Sequence, residues 1–354
     1  MIDLLRALVE IESPSGSPGT AAVSQLIGAE LEQLGADVSL LDGGHLRAEL
    51  PGTGRPLLLS GHVDTVWPTG TLASMPFRVD GDRAYGPGSY DMKACLVLLV
   101  EAIRRAGPDR RALRVFLTAD EELGSPGGRP LLEEAAEGVA AAFVVEPPGS
   151  SGNLKTARKG LGRFTLKVTG RPAHAGTNRR NGVSAIEELA HQVIALHALN
   201  NEPRLSVNVG VISGGTVENV VAAEADARID VRITTAADRE AAERALESLR
   251  PVNPLATLEL GGGWTRPPLE RSDGAGVLFE RAREHGRELG LELQEESSAG
   301  GSDGNLVGVL GVPVLDGLGA EGRGAHAPDE HVLLPSIETR AELLARLLRD
   351  PGLG

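Results

Sequence analysis

Apolar residues in the first 150 positions follow two alternating patterns. Helical spacing of apolar residues marks the segments 2–9, 20–34, 93–106 and 131–136. Short continuous apolar runs, typical of buried strands, occur at 57–60, 113–117 and 141–145. Strands that alternate with helices in this way predict an α/β domain with a mixed, largely parallel sheet flanked by helices.

The pattern changes near Ser150. Residues 164–168 alternate apolar and polar side chains, which predicts a strand with one exposed face. The segments that follow are a helix at 183–199, strands at 206–212 and 222–233, a helix at 236–249 and a strand at 256–260. This β-α-β-β-α-β order is that of a ferredoxin-like α+β sandwich. We therefore predict an inserted domain at 156–267, between the two parts, 1–155 and 268–354, of the α/β domain.

Length and charge narrow the class of protein. A chain of 354 residues fits about two domains. The net charge of -14 argues against a nucleic-acid or anionic-membrane partner, because either one needs a basic face. One cysteine, Cys95, permits no intramolecular disulfide and no cysteine-rich zinc site. With no signal-peptide pattern and no long apolar run, we expect a cytoplasmic protein and no membrane span.

Candidate chemistry begins where the first buried strand ends. His62 and Asp64 directly follow the run 57–60, and in an open parallel sheet ligands bind beyond the carboxyl ends of the strands. An aspartate two residues from a metal-binding histidine can accept the other ring N–H and fix the tautomer. A hydrogen-bonded pair within a loop is the alternative interpretation.

Acidic residues follow the other strands. Asp91, in the string Gly-Pro-Gly-Ser-Tyr-Asp-Met-Lys, is either the N-cap of the next helix or a ligand with one oxygen for each of two metal ions. Glu121 and Glu122 follow the strand 113–117, with no lysine or arginine between Val115 and Gly128. Since adjacent side chains point in different directions, one glutamate can bind metal while the other stays free as a base.

Two further residues complete the candidate set. Glu146 ends another apolar strand, and His326 lies in a loop rich in glycine and proline, with His331 as the competing histidine. Two histidines and three carboxylates suit zinc, cobalt or manganese. We therefore predict a metal site at one edge of the sheet.

At this point the motifs resemble a known family. The strings GPGSYDMKA, TADEELGSPGG, VVEPPG and GGSDGN are similar to those of the co-catalytic zinc peptidases and aminoacylases, which include glutamate carboxypeptidase, acetylornithine deacetylase and succinyl-diaminopimelate desuccinylase. The likeness is nearest to the glutamate carboxypeptidase branch. It implies two zinc ions, for which Co²⁺ or Mn²⁺ can substitute. By this resemblance Asp91 bridges both ions, Glu122 and His326 complete one, and His62 and Glu146 complete the other.

The resemblance also implies roles outside the ligand set. Glu121 is the general base, Asp64 orients His62, and the inserted domain is a lid and a homodimer surface. His174 polarises the scissile carbonyl. The substrate contacts are Asn208, Arg266 and, in a possible backbone nest, Gly301. For Arg266, which could grip a carboxylate through two hydrogen bonds, an ordinary surface arginine is the alternative.

The implied function is zinc-dependent hydrolysis of an amide or peptide bond next to a free carboxylate. The product is a C-terminal amino acid such as glutamate. One alternative is a deacetylase or desuccinylase of an N-acylated amino acid such as acetylornithine. Another is a non-catalytic binding protein on the same fold, which loss of Glu121 or of a ligand would favour.

Overall fold

The computed structural model describes residues 1–352. Its helices, α1 to α9 in chain order, are Ile2–Glu10, Pro18–Gln33, Ala94–Ala106, Gly128–Ala135, Ala185–His197, Ala236–Glu247, Asp273–Glu288, Asp303–Gly308 and Leu334–Arg349. Its strands, β1 to β16, are Asp37–Leu40, Leu46–Leu50, Thr53–His62, Arg78–Asp80, Arg83–Tyr85, Arg111–Thr118, Ala141–Val144, Leu154–Arg158, Gly160–Thr169, Leu205–Gly214, Glu224–Ile233, Thr257–Arg266, Glu295–Ser298, Val314–Leu315, Gly322–Arg323 and His331–Leu333. None of the helices in these residues combines the length and the apolar composition that a bilayer span requires.

The chain forms two compact units. The first comprises Met1–Ala157, Glu270–Ser298 and the residues from Ser302 onward. The second comprises Arg158–Leu269 together with Ala299–Gly301. The roles predicted for the two units, catalysis for one and lid and dimer surface for the other, stay predictions.

The main sheet of the first unit has the order β1-β2-β6-β3-β7-β14. β3 pairs parallel with both β6 and β7, β14 pairs parallel with β7, and β1 and β2 add antiparallel pairs at one side. Leu57, Leu58 and Leu59 of β3 are fully buried, because helices cover both faces of a parallel sheet. The predicted mixed, largely parallel α/β sheet is confirmed.

Three neighbouring strands of this sheet end at the same edge. His62 is the last residue of β3, and β6 and β7 end at Thr118 and Val144. Since the three strands are parallel, the segments that follow them leave the sheet side by side. The residues that directly follow these three strands therefore lie near one another at this edge of the sheet.

A small antiparallel sheet in the same unit has the order β15-β16-β5-β4. It pairs Tyr85 of β5 with His331 of β16, residues that lie far apart in the sequence. The β15–β16 hairpin carries the loop 324–330, and β5 leads into the segment that contains Asp91. These strands were not predicted, because two or three residues are too few to show an alternating pattern.

The second unit contains a four-stranded antiparallel sheet of order β10-β11-β9-β12, with α5 and α6 in the chain order β-α-β-β-α-β. The apolar side of β9, with Leu166 and Val168, packs with Leu189 of α5 in its core. The predicted ferredoxin-like sandwich is confirmed.

The last strand of this sheet corrects a predicted boundary. The strand expected at 256–260 is β12, which continues to Arg266 through the glycine run. Gly262 has φ 85°, and a Cβ there would lie 2.2 Å from the carbonyl oxygen of Arg163 on β9. The glycines thus permit close strand pairing rather than ending the strand.

A buried carboxylate anchors α5 within the second unit. Glu188 is 2% exposed and accepts hydrogen bonds from the backbone N–H groups of Val252 (2.9 Å) and Asn253 (2.8 Å) and from Gln192 Nε2 (2.7 Å). Burial by itself raises the pKa of Glu188, but the three donors outweigh it and hold the pKa below its ordinary value of 4.5.

We expect Glu188→Gln to lower the free energy of unfolding by about 1–3 kcal/mol at pH 7, because the amide replaces a charged acceptor. The folded-state pKa lies below the unfolded-state pKa, so this stabilisation is complete above pH 4.5 and is lost as the pH falls through the folded-state pKa. Urea unfolding from pH 8 to pH 3, followed by tryptophan fluorescence with Trp264 as the reporter in this unit, measures the difference.

Glu187→Gln is the matched control, because Glu187 is adjacent, carries the same charge and is exposed. Its unfolding curve should stay close to that of the wild type at every pH. Equal curves for Glu188→Gln and Glu187→Gln would refute the anchoring role.

Candidate metal centre

His62 places one ring nitrogen among carboxylates. Its Nδ1 lies 2.9 Å from the carbonyl oxygen of Asp64 and 3.3 Å from Asp64 Oδ1, so Nδ1–H donates to Asp64. Nε2 then presents its lone pair to Asp91 Oδ1 at 3.2 Å and to Glu146 Oε1 at 3.6 Å. The side chain is 2% exposed. Two carboxylates that face one ring nitrogen in a buried place are stabilised by positive charge, either a proton on the ring or a cation between the groups.

Asp91 faces two histidines with its two oxygens. Oδ1 lies 3.2 Å from His62 Nε2, and Oδ2 lies 3.4 Å from His326 Nε2, which is also 3.3 Å from Glu122 Oε1. Asp91 is not the N-cap of α3, which is Lys93. The structure therefore brings the other four predicted ligands into one cluster with Asp91.

These separations fit a pair of metal ions. Two ligand atoms about 2.0 Å from one zinc ion, at a tetrahedral angle, lie about 3.3 Å apart. Glu122 Oε1 is buried with no hydrogen bond of good geometry in the described part of the chain, and its polar neighbour is His326 Nε2 at 3.3 Å, another candidate ligand. One oxygen or nitrogen each from His62, Glu121 and Glu146 also lie within 4.8 Å of one another. The residues present fit a centre for divalent cations.

The pKa shifts of the clustered side chains also indicate a site that favours positive charge. Burial alone would lower the pKa of His62, but contacts with Asp64 and Asp91 raise it well above its ordinary value. Contacts with Asp91 and Glu122 raise the pKa of His326 to about 10. The pKa of Asp91 is lowered by His326 and His62 in spite of burial, which raises it. The pocket thus favours positive charge.

Asp64 supports more than the histidine. Its Oδ1 accepts from the backbone N–H of Glu121 and its Oδ2 from that of Glu122, both at 3.2 Å. Ser15 Oγ donates to Oδ2 at 2.6 Å. These donors and His62 hold the pKa of Asp64 below its ordinary value although burial raises it. Asp64 therefore fixes both the ring of His62 and the acidic turn that follows β6.

The loop 324–330 presents His326 rather than His331. His326 is half exposed with φ 62°, a left-handed conformation that costs on the order of 1–3 kcal/mol for a residue other than glycine. His331 is buried in β16, where its ring packs 5.0 Å from that of Tyr85 and its Nδ1 lies 2.8 Å from the carbonyl oxygen of Asp329. The competing histidine is a structural residue of the small sheet.

Two side chains at this centre were not among the predicted site residues. Ser15 bonds Asp64, and Glu330 bonds the backbone of Asp91 at 3.0 Å. Neither one had a signal of its own, since Ser15 lies in a polar stretch and Glu330 directly follows another acidic residue. Only the folded chain shows what they contact.

The remaining predicted residues, His174, Asn208, Arg266 and Gly301, all lie in the second unit. His174 is exposed, and its Nδ1 accepts from the backbone N–H groups of Gly176 (3.1 Å) and Thr177 (3.2 Å). In a neutral ring the proton is then on Nε2, which makes Nε2–H a donor.

Asn208 is exposed on β10, whereas Arg266 at the end of β12 is only 3% exposed and so is not an ordinary surface arginine. The carbonyl oxygen of Gly301 accepts from Arg158 Nη1 at 3.2 Å. The substrate contacts assigned to these residues stay predictions.

The fold and the histidine–carboxylate cluster define a metallohydrolase. The sequence profile of peptidase family M20/M25/M40 matches residues 58–350, and the chain belongs to this family. It is 32% identical to carboxypeptidase G2 of Pseudomonas sp. (strain RS-16) over 372 residues, which covers 100% of this chain and 90% of that protein. It is 28% identical to succinyl-diaminopimelate desuccinylase of Delftia acidovorans over 374 residues, which covers 96% of this chain and 95% of that protein.

Solved structures share the fold. Aminopeptidase PepT from Bacillus cereus superposes with a TM-score of 0.81 at 22% identity, over 98% of this chain and 97% of that one. The YXEP protein of Bacillus subtilis, described as a dinuclear metal binding peptidase, gives a TM-score of 0.71 at 18% identity, over 98% of this chain and 96% of that one. The likeness extends over both units of the chain.

We expect Asp91→Ala to weaken the binding of two divalent ions at once, because Asp91 contacts both histidines. The metal affinity should fall by more than the roughly 10–100-fold that is typical when a residue that only orients a metal ligand is replaced. Glu146→Ala should weaken the binding of one ion and leave the binding of the other unchanged. Metal content after dialysis gives the number of ions bound, and competition with a chelator gives the dissociation constant of each ion. If Asp91→Ala lost one ion only, Asp91 would not be a shared ligand.

Proposed function

We propose that this metallohydrolase cleaves an amide or peptide bond next to a free carboxylate and releases a C-terminal amino acid such as glutamate. The observation that carries the proposal is the position of Glu121. Its neighbour Glu122 belongs to the group around Asp91 and His326, whereas Glu121 lies with His62 and Glu146 at the strand ends. A carboxylate at the edge of a metal centre can act as the base that amide hydrolysis requires. The relative named carboxypeptidase G2, alike over the whole chain, supports the choice of bond.

The metal ions in this proposal are two zinc ions, with cobalt or manganese as substitutes. His62 and Glu146 would hold one, His326 and Glu122 would hold the other, and Asp91 would contribute to both. Zinc at such a centre would lower the pKa of water to about 7 and polarise a carbonyl oxygen. The likeness to the YXEP protein, a dinuclear metal binding peptidase, supports the number of ions.

Glu121 moves one proton in each half of the reaction. It accepts a proton from the attacking water as the oxygen forms its bond to the amide carbon. It then donates that proton to the amide nitrogen, the C–N bond breaks, and a carboxylic acid and an amine leave. The Asp64 carboxylate, which accepts from the backbone N–H groups of Glu121 and Glu122, keeps the acidic turn in place during both steps.

His174 and the substrate contacts complete the proposal. Nε2–H of His174 donates to the carbonyl oxygen as negative charge develops there. This role fits the tautomer set by the N–H groups of Gly176 and Thr177. Arg266, Asn208 and Gly301 bind the free carboxylate and the rest of the substrate.

The alternative is a deacylase that releases an acetyl or succinyl group from an amino acid. The similarity to succinyl-diaminopimelate desuccinylase over 96% of the chain supports it. The metal residues and Glu121 would act in the same way, and only the side of the amide that is recognised would differ. The third possibility, a binding protein without activity, has no support from the site, because Glu121 and the ligands are present.

We expect Glu121→Gln to reduce kcat by about 10²–10⁴-fold and to retain both ions, because the amide cannot carry the proton. The assay is amino-acid release from N-acyl and peptidyl substrates ending in glutamate, beside acetylornithine and succinyl-diaminopimelate. Preferential release of C-terminal glutamate supports the carboxypeptidase. Preference for the acylated diamino acids supports the deacylase, and near-normal turnover by Glu121→Gln would contradict its role as base.

We further propose that the protein is a homodimer formed through the second unit. β10 is an edge strand of the antiparallel sheet. Large apolar side chains on β10 and α5 are exposed, namely Val211 (50%), Ile212 (64%), Ile186 (49%) and Ile194 (70%). An exposed apolar edge of this kind invites pairing with another chain.

The variant Ile194→Glu/Ile212→Glu should be a monomer, because two buried charges per chain would have to lose their water at the interface. Light scattering coupled to size-exclusion chromatography gives the mass. Val277→Glu on α7 of the first unit, at a side chain that is 55% exposed, is the control and should leave the mass unchanged. A wild type that runs as a monomer at all concentrations would refute the dimer.

The cytoplasm is the location we propose. The one cysteine, Cys95, is free and buried, so the fold uses no disulfide that an oxidising compartment would have to supply. Fractionation of cells that express the chain from its own gene tests this, and recovery of the protein outside the cytoplasm would contradict it.

A further inference from the structure

A fully buried carboxylate lies behind the metal centre, on the side of the small sheet. Glu330 is 0% exposed and is the last residue of the loop 324–330 before β16. A buried carboxylate costs free energy unless donors surround it, so its partners indicate what it holds.

All four partners of Glu330 are N–H groups. Oε1 accepts from the backbone N–H groups of Tyr90 and Asp91, both at 3.0 Å. Oε2 accepts from Trp67 Nε1 at 2.7 Å and from the backbone N–H of Gly88 at 2.9 Å. Each oxygen receives two bonds, which uses the acceptor capacity of an ionised carboxylate.

The segment before Asp91 folds around this carboxylate. Three of its N–H groups point inward at the same anion, a concave arrangement of backbone donors. Gly88 has φ 72°, and a Cβ there would lie 2.5 Å from Thr65 Cγ2. The conformation therefore depends both on the glycine and on the anion that the N–H groups surround.

The same residue is tied to both halves of the metal centre. Its carboxylate bonds the N–H of Asp91, whose two oxygens lie 3.2 Å and 3.4 Å from the Nε2 atoms of His62 and His326. Its own backbone lies four residues after His326 in one short hairpin loop, where its N–H bonds the carbonyl oxygen of Ala327. A shift of Glu330 therefore displaces Asp91 and His326 relative to each other.

We propose that Glu330 is a positioning residue that sets Asp91 as the ligand shared by two metal ions. The inference rests on the proposed metal-dependent function and adds a residue that contacts no metal. Glu330 acts through the backbone of Asp91, so its loss changes metal affinity and coordination before it changes any contact with substrate.

Glu330→Gln tests this role. It keeps the size of the side chain but turns an NH₂ group towards N–H donors. We expect the affinity for both ions to fall by roughly 10–100-fold, the range found for groups that orient metal ligands. Chelator competition with Zn²⁺ measures the affinities, and the visible absorption of the Co²⁺-loaded protein should change as the coordination changes. A structural role alone would lower Tm and leave the affinities and the cobalt spectrum as in the wild type, which would overturn the proposal.

Asp329→Asn is the matched control, because Asp329 is adjacent to Glu330, carries the same charge and has an exposed side chain. Its zinc affinities and cobalt spectrum should equal those of the wild type, and a loss as large as that of Glu330→Gln would overturn the proposal. Where Glu330→Gln does not fold, Glu330→Asp serves instead, since it retains the charge and withdraws the oxygens by one methylene. Wild-type affinities in a folded Glu330→Asp would likewise overturn the role.

Metal titration of the wild type separates this inference from the proposed function. Two ions bound by the wild type and weakened in Glu330→Gln support the positioning role whatever substrate is cleaved. Two ions bound equally by both proteins overturn the role and leave hydrolysis to the substrate assay. A wild type that takes up no ion would overturn the metal centre and this role together.

Discussion

Repulsion between carboxylates at one edge of a parallel sheet is the constraint on which this structure depends. Glu121 and Glu122 follow β6 and Glu146 follows β7, the two strands on either side of β3, and Asp91 lies with the same group. Like charges at this distance are costly away from water, and histidines offset the cost only when protonated. Divalent cations would remove this cost, so an arrangement that is unfavourable in an empty fold favours metal binding.

Holding such a cluster requires rigid backbone, and two further carboxylates provide it. Asp64 accepts from the N–H groups of Glu121 and Glu122, and Glu330 accepts from those of Tyr90 and Asp91. Each of these anchors uses its oxygens on the main chain of a segment that carries ligands. The fold itself therefore largely decides the positions of the segments that carry the candidate ligands.

The chain is similar to relatives that are named for different reactions. The chain is 32% identical to a carboxypeptidase and 28% identical to a desuccinylase, with nearly complete coverage of both. A centre that acts on the amide carbon does not distinguish which side of the bond carries the amino acid to be released. Specificity then depends on the groups that bind the rest of the substrate, and His174, Asn208 and Arg266 are the candidates in the second unit.

The sequence by itself determined the buried strands β3, β6 and β7 and the candidate chemistry at their ends. Continuous apolar runs followed by His62, Glu121 or Glu146 can be recognised one segment at a time, because a strand buried on both faces shows this burial in its own sequence. The β-α-β-β-α-β order of the second unit could likewise be predicted, because each of its segments has its own apolar pattern. The true end of β12 at Arg266 could not, since glycines that end a strand and glycines that let two strands approach look the same in a sequence.

Only the tertiary structure decided how the distant ligands meet. Asp91 and His326 come together through the pairing of β5 with β16, strands of three residues each that lie far apart in the sequence. The choice of His326 over His331, the bond from Ser15 to Asp64 and the position of Glu330 depend on that pairing or on similar long-range contacts. Their physical reason is non-local, because a hydrogen bond across the fold leaves no periodic trace in either of the segments that it joins.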